Sequence, residues 1–71
     1  MKIRFIHDAG NWPHRANGAN PSYLDVEAEQ VPDVGDTVLL PDDFYGPACE
    51  VVSRQWFYGE RQADVMITLN S

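Results

Sequence analysis

Seventy-one residues with 44% hydrophobic and 11% aromatic content suit one small folded domain spanning 1–71 and argue against a disordered tail. The single cysteine, Cys49, excludes an internal disulfide and fits a reducing compartment. The net charge of −6 opposes direct binding to a phosphate backbone. No apolar run reaches the length of a membrane span, and the apolar start at 3–6 stops at His7-Asp8, too short for a signal peptide, so the expected setting is cytoplasmic.

In chain order, residues 2–7 alternate, with Ile3, Phe5 and His7 on one face, and are predicted to form a first strand. Residues 8–22 are rich in breakers (Gly10, Pro13, Asn17-Gly18, Pro21) and form a long loop. Trp12 within it either folds back as a lid on the core or stays out as a contact residue. Residues 23–29 alternate Leu24, Val26 and Ala28 with Asp25, Glu27 and Glu29, a strand with one acidic face. A helical reading of the same window stays open, since Ser22 and Asp25 also resemble a capping box.

The segment Val31-Pro32-Asp33-Val34-Gly35-Asp36 reads as a tight turn, with Gly35 free to take positive φ and Asp36 able to bond nearby backbone. It feeds a strand at 37–40. A second turn at 41–47 carries Asp42, Asp43, Phe44 and Tyr45. The fourth strand, 48–57, contains a conflict: Cys49 and Val51 share one face, whereas Val52, Arg54 and Trp56 share the other. One extra residue near 52–54, a β-bulge, reconciles the two. After a turn at 58–61 the last strand, 62–70, shows the clearest alternation, with Ala63, Val65, Ile67 and Leu69 inward. The expected fold is all-β: a small five-stranded antiparallel meander, curled into an SH3-like barrel because no helix is left to cover an apolar sheet face. Its expected core is Ile3, Phe5, Leu24, Val26, Val34, Val38, Leu40, Val51, Trp56, Val65, Ile67 and Leu69.

The pattern Val31-Pro32-x-Val34-Gly35-Asp36-x-Val38, then Val51-Val52-Ser53-Arg54-x-Trp56, then Val65-x-Ile67-x-Leu69 resembles a class of small uncharacterised bacterial proteins that also occur in phages and other mobile elements. The likeness covers roughly the C-terminal 40 residues of the sequence. It implies a small SH3-like barrel and no known activity.

Catalytic chemistry finds little support. His7, Asp8 and His14 match no established metal spacing. Cys49 falls on a core face rather than beside a histidine. Asp42 and Asp43 are adjacent in a turn and diverge, and no glycine-rich phosphate loop is present. The expectation is therefore no enzyme, no metal and no cofactor. Two features remain. Trp12, Phe44, Tyr45, Phe57 and Tyr58, with Asp42, Asp43 and Glu60 at their rim, could bind a protein partner, of which a second copy is one candidate. Alternatively the same rings plug the ends of the barrel. Between 16 and 53 there are eight acids and no basic residue. Asp25, Glu27, Glu29, Asp33 and Asp36 form the expected acidic face, suited to a protein-interaction module or, alternatively, to an acidic inhibitor that mimics nucleic acid against a basic target.

Overall fold

The alternation of β1 (Lys2–His7) is realised on a single curled sheet in a computed structural model, which describes residues 1–10, 12, 23–59 and 62–71. Ile3, Phe5 and His7 are buried on its inner side, while Arg4 and Ile6 are half-covered on the outer one. The other strands are β2 (Tyr23–Glu27), β3 (Thr37–Val38), β4 (Cys49–Trp56) and β5 (Val65–Asn70). Residues 23–27 are thus strand, not helix, and no helix occurs among the described residues. The all-β expectation holds, and the sheet curls into a half-barrel around one core.

The antiparallel meander does not hold. Strand order is β2-β1-β5-β4-β3, and β1 runs parallel to β5, pairing Ile3 with Val65, Phe5 with Ile67 and His7 with Leu69. The sheet is therefore mixed. The cause is burial. β1 and β5 carry the most regular apolar rows, and side by side at the centre they bury Ile3, Val65, Ile67 and Leu69 almost completely. A parallel pair requires a long crossover. Here everything from β2 through β4 serves as that crossover. The short link after β2 does not join neighbours, as its length suggested. Residues 28–36 instead carry the chain from one edge of the sheet to the other. β2 and β3 are the two edges, and no ladder joins them among the described residues.

The 33–36 turn is anchored at three points. Asp36 N–H donates to Asp33 O at 3.0 Å, Asp33 N–H donates to Asp36 Oδ2 at 2.8 Å, and Gly35 has φ +96°. A glycine with positive φ at the third position is the requirement of a type II turn. Gly35 N–H then donates to Val51 O and Val51 N–H to Asp36 O, both at 2.9 Å, so the turn docks on β4. Val34, at the turn's second position, is 60% exposed and not in the core.

The bulge falls where the side-chain conflict placed it. Val51 pairs with Leu69 and Ser53 with Thr68, leaving Val52 as the extra residue. Cys49 and Val51 face inward before it; Arg54 and Trp56 lie opposite Ile67 and Val65 after it. Trp56 is nevertheless 44% exposed, contrary to the core expectation. β3 pairs only with Cys49 and Glu50, so the far half of β4 has β5 along one side and, among the described residues, no strand along the other. β3 is also shorter than 37–40: Leu39 is exposed, and Leu40 turns back into the core. Leu24, Val26 and Val38 are half-buried against it.

Candidate functional site

Trp12, Tyr45 and His7 are packed at one end of the sheet. Trp12 and Tyr45 are 5% and 4% exposed, and Phe44 is half-buried. Ring centroids lie 5.3 Å apart for His7 and Trp12, 5.2 Å for Trp12 and Phe44, and 5.0 Å for Trp12 and Tyr45. The first two pairs meet edge to face, the arrangement that ring quadrupoles favour. These rings therefore close the end of the core, and the tryptophan is a lid. Tyr45 was legible only as a turn aromatic. Its fold-back follows from Phe44 N–H and Tyr45 N–H both donating to Pro41 O, a tight turn that swings the ring inward. Asp42 and Asp43 project from that turn into solvent.

Polar groups of the cluster are satisfied internally. The Tyr45 hydroxyl and Ser71 Oγ are 2.5 Å apart, and Ser71 Oγ lies 3.1 Å from His7 Nε2. Asp8 Oδ1 sits 3.3 Å from His7 Nδ1. A serine, a histidine and an aspartate in line resemble a nucleophilic triad, but the proton placement is wrong for one. Ala9 N–H donates to Nδ1 at 3.1 Å, so the neutral ring carries its proton on Nε2. That nitrogen then donates to Ser71 and cannot accept its proton, which a general base must do. Cys49 is buried, burial pushes its thiol pKa up, and Sγ donates to Pro47 O at 3.5 Å. A raised thiol pKa reduces the thiolate needed for attack. His14 and Glu60 lie outside the described residues.

The acids do not gather on one face. Asp25 and Glu27 stand on the outer side of β2, at one edge, and Glu29 follows them. Asp33 and Asp36 belong to the turn docked on β4, toward the other edge. Several already have partners. Asp25 receives Arg4 Nε at 2.8 Å and Nη2 at 2.9 Å, a two-pronged pair that holds its pKa below the usual carboxylate range. Glu27 Oε1 is 2.9 Å from the Met1 amine, and Asp33 Oδ1 is 3.1 Å from Arg54 Nη1.

An exposed aromatic surface lies at the end of the β4–β5 hairpin. Trp56, Phe57 and Tyr58 follow one another there, and Tyr58 is 88% exposed. Beside them the outer face opens into a groove of about 240 Å³ lined by Arg4, Phe57, Gln62, Ala63 and Met66. Arg4 is fixed in place: its guanidinium lies 3.9 Å from the centre of the Tyr23 ring, and Nη2 also reaches Gln62 Oε1 at 3.3 Å. Arg4 and Met66 are register partners on adjacent central strands, which explains their meeting. Nothing in the alternation of a single strand marks this groove, because three separate segments build it.

No protein-family model matches the chain, and neither curated proteins nor solved structures give a match.

Proposed function

We infer that the chain is a non-enzymatic protein-interaction module whose contact surface is the hairpin end at Trp56, Phe57 and Tyr58, together with the adjoining Arg4 groove. The observation that carries this reading is Tyr58, left 88% exposed in a chain that buries Trp12 and Tyr45 to complete its core. Tyrosine and tryptophan combine a large apolar body with a polar tip and are enriched where proteins meet. The acidic exterior favours a partner with a neutral or basic surface and disfavours nucleic acid. A single cysteine, buried and free, is consistent with a reducing cytoplasmic setting.

The test is retention of proteins from the source cell on immobilised chain, compared with a Trp56→Ala/Tyr58→Ala double variant. The reading expects species held by the parent and released by the variant. Equal retention by both, or none by either from a chain that is monomeric in light scattering, removes it. The mimic reading ranks second, since Asp25, Glu27 and Asp33 already face positive partners within the fold. Retention that collapses with added salt and survives the aromatic substitutions would favour it instead.

A further inference from the structure

We propose that the Arg4 groove receives Tyr58 from a second copy of this chain, in a two-fold pair in which both tyrosines insert reciprocally; this rests on the interaction reading above and names its partner. The volume sets the scale. About 240 Å³ is below the roughly 300–1,000 Å³ of a pocket for a drug-sized ligand, but above the roughly 150 Å³ cavity that holds benzene. It accommodates one ring. Phe57, Ala63 and Met66 supply apolar walls, while Arg4 and Gln62 supply a polar side, which matches a ring with a hydroxyl at its tip.

Charge narrows the occupant further. Asp25 already engages Arg4 through Nε and Nη2, so the groove offers no uncompensated positive charge to a free anion. Arg4 Nη1 makes no hydrogen bond among the described residues and remains a donor for a neutral oxygen such as a phenol. Tyr58 directly follows Phe57, so the projecting ring and the cavity share one patch. A patch carrying both halves of a contact is the condition for an isologous two-fold interface. The outer face of β1 also carries Lys2 and Arg4, two of the chain's five basic residues, opposite Glu27 and Asp25. These opposite charges balance on this face, so it does not add to the repulsion between two chains of net charge −6.

Sedimentation equilibrium over a concentration series tests the pair with the full chain. The wild type is expected to dimerise. Tyr58→Ala, which removes the ring, and Gln62→Trp, which fills the groove from an exposed position, should each raise the dimer dissociation constant by roughly tenfold or more. Mixing the two variants should give a heterodimer tighter than either homodimer, since one intact ring then meets one open groove. Circular dichroism checks that both variants keep the parent fold. A wild type that stays monomeric to roughly millimolar concentration overturns the proposal, as does a dimer insensitive to both substitutions, or no gain on mixing. A monomer whose retained proteins are still lost with Tyr58→Ala would overturn the pair and leave the interaction reading standing.

Discussion

The two tryptophans teach more about this chain than any motif. Trp12 sits in a polar, breaker-rich loop and is 5% exposed; Trp56 sits in the longest strand, opposite fully buried Val65, and is 44% exposed. The sequence places Trp56 in the core and leaves Trp12 open between a lid and a contact residue. The difference is what lies over each ring. Trp12 is sandwiched among His7 at the end of β1 and the adjacent Phe44 and Tyr45 of the 41–45 turn, rings from two segments far apart in the sequence. Trp56 has passed the last residue that β3 pairs with, and the Arg54 guanidinium lies 6.0 Å from its ring centre. Aromatic burial here is set by coverage from distant segments, not by the element that carries the ring.

The sharpest way to break the comparison is to truncate both. Trp12→Ala should cost about 3–5 kcal/mol, enough to unfold much of the population in a domain this small. Trp56→Ala should cost at most about half of that, in proportion to the area it buries. Urea denaturation followed by circular dichroism measures both, and equal losses would refute the assignment of Trp12 as the lid.

The anchored turn gives the next effect. A side chain at Gly35 meets open space but must adopt φ +96°, so Gly35→Ala should destabilise by roughly 1–2 kcal/mol through backbone strain alone. An unchanged denaturation midpoint would mean that the turn is not held in this conformation.

On the outer face, the Arg4–Asp25 pair is partly screened, with side chains 20% and 27% exposed, and a double-mutant cycle should return about 0.3–1 kcal/mol. Its pH dependence has a definite sign. Arg4 lowers the Asp25 pKa in the folded state. The unfolded chain therefore holds its proton more tightly, and the pair's contribution is complete above the unfolded value of about 4. It is lost as pH falls through the depressed folded value. The stability difference between wild type and Asp25→Asn should shrink over that acid range and stay constant near neutrality.

Tyr58→Ala should have the smallest effect on monomer stability, within about ±0.5 kcal/mol. That result would complete the contrast with Trp12: a ring of similar chemistry that the fold itself does not use.

The sequence alone determined the elements whose cause is local. Strict alternation marked β1 and β5, a glycine able to take positive φ marked the 33–36 turn, and two incompatible faces on β4 required a bulge that appears at Val52. Tertiary structure alone decided the parallel β1–β5 pairing, the exposure of Val34 and Trp56, the inward turn of Tyr45 and the assembly of the Arg4 groove. Alternation specifies which side chains share a face of a strand. It carries no information about which strand lies alongside or what chain crosses above, and those long-range contacts govern both burial and the surface left for a partner.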